Sequence, residues 1–269
     1  MNRAALAINA RAAWQLARHR RAAGGAAILA YHDVTADAQT DELYTVSGRQ
    51  LRDHIATLRR LGLRIVPLTE IVARLQRGEP VDDLAALTFD DALVGVHHVA
   101  LEILTEAAAP ATIFVVADGI NVSPSWWPGA QRTMTTGELD EAMRAGVSLE
   151  AHSSQHRSLP RSSAADLAED LAHCRRVLAD DLGSNAELLA YPFGHHDGRV
   201  RDAARACGYR AAFTFLNGRA QPGDDLFKLA RLTATRTMSR ITLARHLARL
   251  PHDWHGHQAD VVLDGGPSS

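Results

Sequence analysis

The sequence predicts an α/β protein folded as a distorted (β/α) barrel in a single domain. Three observations carry that reading. From residue 27 onward, short apolar runs alternate with helix-periodic segments over about 220 residues. The apolar runs are continuous rather than polar on every second residue, as expected of parallel strands covered by helices. No repeat with a period of roughly 20–50 residues and no Pro/Ser/Gly linker divides the region. The length is slightly below the ~250 residues usual for such a barrel, and a doubly wound open sheet is the alternative.

Each element has its own signal. Ala27–Tyr31 is the first apolar run and ends at His32 and Asp33. Ser47 opens a helix with Gln50 placed to complete a capping box, Leu51, Ile55, Leu58 and Leu61 form the apolar stripe, and Gly62 stops it. Leu63–Leu68 reads as a strand, with Thr69 capping a helix to about Gln76. Strand Leu84–Phe89, helix Val96–Ala107 and strand Ala111–Val116 continue the alternation. An irregular stretch from Asp118 to Thr136 holds Trp126, Trp127 and Pro128. Helix Gly137–Ala145, strand Val147–Ala151, a helix from Ser163 to about Asp180 and strand Leu188–Tyr191 follow. Helix Val200–Ala206 stops at Gly208, strand Tyr209–Thr214 comes next, and a last helix spans Ile241–Leu250. The domain reading is therefore 1–26 as a basic helical extension, 27–250 as the catalytic-type domain and 251–269 as a tail, frayed at Gly265–Ser269.

Composition narrows the function classes. At 46% hydrophobic and 22% charged residues the chain is not disordered, and a formal net charge of -2 gives no overall attraction to nucleic acid. Cys174 and Cys207 alone supply neither a disulfide framework nor a CxxC metal pair. Before Asp33 there is no acidic residue, while Arg3, Arg11, Arg18, Arg20 and Arg21 punctuate an Ala-rich run. Arg11 interrupts any signal-peptide core, so the expected location is cytoplasmic. The basic helix reads as solvated or docked, as a peripheral membrane contact, as a polyanion contact, or as a transit peptide.

In a parallel barrel, reactive groups collect where strands end. Those positions hold His32-Asp33, Asp90-Asp91, His152-Ser153-Ser154-Gln155-His156 and Tyr191-Pro192-Phe193-Gly194. Adjacent carboxylates repel one another, so Asp90 and Asp91 are either a capping turn or a pair whose roles a cation separates. His152 and His156 lie four apart, a spacing that converges on one ligand but also occurs by chance among 14 histidines. His195-His196 and His252, His255 and His257 read as surface histidines. Two histidines with one carboxylate suit a hydrolytic metal with open positions, leaving the second carboxylate as a base.

Thr88-Phe89-Asp90-Asp91, the His152–His156 segment and Tyr191-Pro192-Phe193-Gly194 together resemble the successive motifs of the polysaccharide deacetylases, the NodB-homology carbohydrate esterases of family 4. Leu29-Ala30-Tyr31-His32-Asp33 is similar to the opening of the poly-N-acetylglucosamine deacetylase subgroup. The resemblance covers roughly residues 27–240 in motif order. It implies a NodB-type barrel and a metal-dependent hydrolase removing acetyl groups from an N-acetylated carbohydrate. Asp90 would be the base, and Asp91, His152 and His156 the ligands of a divalent metal: zinc, with cobalt, nickel or manganese as alternatives. The Phe193 N–H would face the oxyanion. A catalytically silent glycan-binding relative and an O-acetyl esterase are the competing functions.

Three departures matter. Ala92 stands where the family has glycine after the aspartates, and Ala190 replaces the arginine that orients the base, for which Arg231 is the candidate substitute. The late Leu-x-His motif is absent, His246 lying inside a helical pattern. Because first and last strands of a closed barrel are neighbours, His32 can supply the missing acid from the other end of the chain. Asp33 either orients His32 or caps the turn. Trp126 and Trp127 are candidates for stacking on a sugar face or for packing beneath their loop, and Tyr191 is expected at the pocket floor.

Overall fold

The computed structural model describes residues 24–36 and 41–248. In chain order the strands are β1 (Ala27–Tyr31), β2 (Asp33–Thr35), β3 (Thr45–Ser47), β4 (Arg64–Ile65), β5 (Leu84–Phe89), β6 (Ala111–Val115), β7 (Val147–Ala151), β8 (Leu188–Ala190), β9 (Ala211–Asn217) and β10 (Leu229–Thr233). The helices are α1 (Gly48–Arg60), α2 (Leu68–Gln76), α3 (Leu101–Glu106), α4 (Thr136–Arg144), α5 (Ala164–Leu182), α6 (Gly198–Ala206) and α7 (Arg240–Ala248). A π-helical turn, Val96–Ala100, leads into α3.

Closure comes from β1, which pairs in parallel with both β10 and β5. The ring runs β1-β10-β9-β8-β7-β6-β5 and returns to β1, with β4 attached to β5 outside it. Seven parallel strands therefore form the barrel, and a separate parallel pair, β2 and β3, sits above β1.

Strand periodicity sorts the core into two layers. Ile28, Leu84, Ala86, Phe114, Ala190, Phe213 and Leu229 form an inner cluster, joined by Leu68, Ile71, Val72 and Leu75 of α2. Their chain neighbours Leu29, Ala85, Leu87, Phe89, Ile113 and Leu232 pack outward with Leu51, Ile55 and Leu58 of α1 and with Leu167, Leu171 and Leu178 of α5. Each of the buried leucine, isoleucine, valine and phenylalanine side chains contributes on the order of 1.5–3 kcal/mol of burial energy, and each alanine less. The Ser47 capping box with Gln50 is present as the sequence predicts: each residue's side chain accepts the other's backbone N–H. A second box, Thr135 with Glu138, starts α4.

Several expectations are corrected. The predicted strand Leu63–Leu68 shrinks to Arg64–Ile65, and α2 begins at Leu68 after Pro67, whose fixed φ of -55° suits a helix start; Thr69 is not the cap. β9 starts at Ala211 and continues to Asn217. β2, β3 and β10 went unpredicted; in β10 the charge of Arg231 interrupts the apolar run by which strands are recognised. His196 is no surface histidine: it is fully buried, stacked on Tyr191 with centroids 5.2 Å apart, its Nδ1 bonded to the Gly194 carbonyl. The expected N-terminal helix, the tail with His252, His255 and His257, and the last two residues of the final helix lie outside the described residues. No helix among the described residues is long and apolar enough to cross a membrane.

Candidate active site

The inward register of the inner cluster, carried two residues at a time past the strand ends, aims specific side chains into the barrel mouth. Along β5 the sequence Leu84, Ala86, Thr88 leads to Asp90; along β1, Ile28 and Ala30 lead to His32; along β10, Leu229 leads to Arg231. The ladders continue far enough to hold these ends, with Asp90 N–H donating to Tyr31 O at 2.8 Å and His152 N–H to Val115 O at 2.8 Å.

Asp90 and Arg231 are both fully buried and form a two-bond pair, Nη1 to Oδ1 at 2.7 Å and Nη2 to Oδ2 at 2.8 Å. Arg231 also donates through Nε to Thr214 O at 3.2 Å and through Nη1 to Thr88 Oγ1 at 3.2 Å. The Thr214 carbonyl belongs to a bulge: between Leu229 and Arg231 the partner register on β9 jumps from Phe213 to Asn217. Burial alone would raise the Asp90 carboxyl, but the Arg231 charge beside it and the Arg231 hydrogen bonds hold it well below the usual carboxylate range. Arg231 thus holds both oxygens of Asp90, the contact expected of a substitute for the arginine missing at Ala190.

Asp91 turns the other way, in the left-handed region at φ 68°, followed by Ala92 at φ 53°. Ser153, His156 and Phe193 also have positive φ, so five of the seven non-glycine residues with this conformation among the described residues surround one site. His156 Nε2 lies 3.2 Å and His152 Nε2 3.6 Å from Asp91 Oδ1. His152 Nδ1 is 2.7 Å from the Ala190 carbonyl, an acceptor only, so Nδ1 carries the proton and Nε2 presents its lone pair. The segment is pinned by His156 N–H to Ser153 Oγ, Ser154 N–H to Asp170 Oδ1 and Ser154 Oγ to Asp170 O. Trp126 donates its indole N–H to Asp91 Oδ1 at 3.1 Å and stacks on His156 with centroids 4.9 Å apart.

These residues fit a divalent cation. Their ligand atoms lie within 4.8 Å of one another, and separations of ~3.0–3.4 Å are what bonds of ~2.1 Å at ordinary angles require. Burial, then the neighbouring Asp90 charge, push Asp91 up to about 8, a cost that a cation would offset. Burial, then His152, push His156 down to about 2, which keeps its imidazole neutral. A second group, His97, His98 and Glu138, is also close together. There Arg132 already takes both Glu138 oxygens at 2.7 Å, and the same carboxylate caps α4.

Above the triad lies a cavity of about 390 Å³ with His32, Asp91, His152 and His156 at its floor and Tyr44, Trp126, Trp127, Phe193 and Phe215 as walls. His32 is buried, and its Nδ1 has no hydrogen-bond partner among the described residues. Asp33 neither orients it nor caps a turn; it begins β2, and its carboxylate accepts the N–H of the next residue, Val34. Tyr191 is not at the pocket floor. It follows Leu189 into the outward register, is fully buried and donates its hydroxyl to Phe227 O at 3.0 Å. Phe193 stands edge-on to His156 at 4.6 Å on a Pro192–Gly194 turn. Gly194, at φ 70°, passes so close that a Cβ there would lie 2.5 Å from Phe215 N. Sequence reasoning missed Tyr44 and Phe215. Extending the inward sequence Ala211, Phe213 by one further step points to Phe215, whereas nothing in the local pattern marks Tyr44.

A buried carboxylate kept ionised, and beside it a cavity lined by a carboxylate, two neutral imidazoles and a further imidazole whose Nδ1 has no hydrogen-bond partner among the described residues, can hold a cation, accept a proton and deliver one. A family model for polysaccharide deacetylase matches residues 77–212, half of the chain. The chain is 21% identical over 199 residues to a poly-β-1,6-N-acetyl-D-glucosamine N-deacetylase of Staphylococcus epidermidis, covering 70% of this chain and 68% of that protein. Its fold matches that of the Streptococcus pyogenes deacetylase PplD in complex with acetate, with a TM-score of 0.72 at 22% identity over 82% of this chain and 97% of that one. IcaB from Ammonifex degensii matches with a TM-score of 0.72 at 23% identity, covering 84% of this chain and 98% of that one. The motif residues, the seven-stranded closed barrel and the family match agree, and this chain belongs to the polysaccharide deacetylase family, with the NodB-type α/β fold of that family.

Proposed function

We propose that this protein is a metal-dependent deacetylase that removes acetyl groups from N-acetylated amino sugars of a glycan or glycan precursor, releasing acetate. The observation that carries the reading is the buried Arg231–Asp90 pair, an ionised carboxylate next in sequence to Asp91 of the Asp91–His152–His156 triad, whose three residues line one aromatic-walled cavity.

A divalent cation held by Asp91, His152 and His156, zinc by the donor set, would polarise the acetyl carbonyl and acidify the attacking water. Asp90 takes the water proton as the oxygen adds to the carbonyl carbon. The Phe193 N–H donates to the oxygen that gains negative charge. His32 protonates the departing nitrogen while the C–N bond breaks, so the products are acetate and a free amino sugar. Burial lowers His32 to about 4 while the Asp90 charge raises it, and the negative adduct adds to that upward pull. The indole and phenyl walls cover a pyranose face and exclude bulk water.

Acetate release from N-acetylglucosamine oligomers, by stripped protein and after adding zinc or cobalt, tests the proposal. Release restored by metal, and lost in Asp90→Asn with metal content intact, is the expected result. Asp91→Ala and His152→Ala should lose the metal itself. Full activity in Asp90→Asn would overturn the mechanism, and turnover of O-acetyl sugars alone would make the protein an esterase. Absence of both metal and turnover would favour the silent glycan-binding reading.

A further inference from the structure

Between the start of α1 and the segment leading into α7 lies a cavity of about 470 Å³ that the proposed chemistry does not use. Its size falls within the roughly 300–1,000 Å³ of ligand pockets. Arg49, Arg236 and Arg240 line it, with Asp53 as the one carboxylate. All three arginines are exposed, and their side chains make no hydrogen bond or ion pair among the described residues. Thr45, His54 and Met238 form a buried floor.

The walls are tied to one another through groups other than these guanidinium ions. Gln50, whose side chain completes the capping box of α1, donates through Nε2 to Arg236 O at 2.7 Å. His54 donates through Nε2 to Met238 O at 2.8 Å and accepts the Tyr31 hydroxyl at Nδ1 at 3.0 Å. Arg236 N–H donates to Leu43 O at 2.9 Å. The three cations are therefore brought around one space and left without a counter-charge of their own. Two of them also oppose the helices that carry them. Arg49 is the second residue of α1 and Arg240 the first of α7, and neither helix has an acidic residue in its first turn. A helix is electrically positive at that end, so a cation there is unfavourable, and the arginines repel one another across the cavity. An anion seated among them reverses both effects.

We infer that this cavity binds a phosphate group. Each guanidinium offers a planar fork of N–H donors that matches a pair of phosphate oxygens. A tetrahedral phosphate can meet three such forks from different sides, which the two oxygens of a carboxylate cannot. The free ion and a phosphate ester on a glycan precursor present the same group. Thr45 of the floor directly follows Tyr44 of the catalytic wall, so an ester held here lies next to the catalytic cavity. That second source alone rests on the deacetylase reading.

The test titrates inorganic phosphate, and separately N-acetylglucosamine 1-phosphate, into wild type and the double variant Arg236→Gln/Arg240→Gln at fixed ionic strength. Calorimetry and melting temperature are read, before and after a chelator has removed metal. Wild type should bind inorganic phosphate in both states, and the double variant at least about tenfold more weakly. In chloride alone the double variant should melt no lower than wild type, because a cation leaves the positive end of α7 and Arg236 is tied through its backbone. Phosphate should then raise the melting temperature of wild type and leave that of the variant nearly unchanged. Sugar phosphate bound at least about tenfold more tightly than the free ion would assign the site to a substrate-borne ester. Equal or weaker binding would assign it to the free ion, and the phosphate site stands in both cases. Wild-type affinity in the double variant, no phosphate binding by wild type, or binding only while metal is present would overturn it. Acetate release enters none of these readouts, so either reading can fail while the other stands.

Discussion

Arg231 and Asp90 lie 141 positions apart in the chain and meet through two parallel hydrogen bonds of 2.7 and 2.8 Å, with neither side chain exposed. Removing one partner of such a pair leaves an uncompensated buried charge. Arg231→Ala is expected to cost about 3–5 kcal/mol of stability and most of the activity. Arg231→Lys keeps the charge but loses the fork geometry, so it should fold better than the alanine variant and still lose turnover. Denaturant unfolding beside acetate release checks both, and wild-type kcat in Arg231→Lys would show that orientation of Asp90 is unimportant.

Trp126 ties the cavity wall to the triad through its indole N–H on Asp91 Oδ1 and its stacking on His156. Trp126→Phe removes the hydrogen bond and keeps an aromatic ring. Loss of such an outer contact costs about 10–100-fold in metal affinity. Competition with a chromophoric chelator measures it. A fall in kcat/KM with metal affinity unchanged would assign Trp126 to the sugar alone.

Ala92 holds a left-handed conformation, φ 53°, that costs an L-residue roughly 1–2 kcal/mol and glycine almost nothing. Ala92→Gly should therefore raise stability by up to about 1 kcal/mol, after the extra entropy glycine loses on folding. Metal content should not change, because Ala92 contributes no ligand. A lower melting temperature in Ala92→Gly would mean that the packing of its buried methyl outweighs the strain.

The Glu138 carboxyl is pulled down to about 2 by its hydrogen bonds with Arg132, with Thr135 adding to the effect against burial. The unfolded chain binds the proton more readily than the folded one, so stability rises with pH through this window. The contribution is fully present above the ordinary carboxylate value near 4.5 and is lost as pH falls toward 2. The melting temperature of wild type minus that of Glu138→Gln should be positive at pH 7 and shrink between pH 5 and 3.5. A difference independent of pH would assign the effect to packing or capping.

Much of this site is legible in the chain, because strand periodicity is a local property. Leu84–Phe89 alternates between two faces, and the alternation alone assigns Asp90 to the face opposite Phe89; the same counting places His32 after Tyr31 and His152 after Ala151. The capping box at Ser47 and the stop at Gly62 are equally local, since each involves groups within one turn of helix. The same counting sends Tyr191 outward with Leu189, a step that the motif reading overlooked. His196 was misread because burial of a polar residue depends on what stacks against it, here Tyr191.

By itself, then, the sequence determined six of the seven barrel strands and the residue types gathered at their ends, because an apolar strand and the polar residues that follow it are local features, whatever lies far along the chain. Tertiary structure alone decided that Arg231 meets Asp90 and that Phe215 and Tyr44 wall the cavity above the triad. Those contacts depend on β1 pairing at once with β5 and β10 and on the bulge in β9. Barrel closure is a property of all seven strands together, and no local pattern encodes which distant strand a residue will meet.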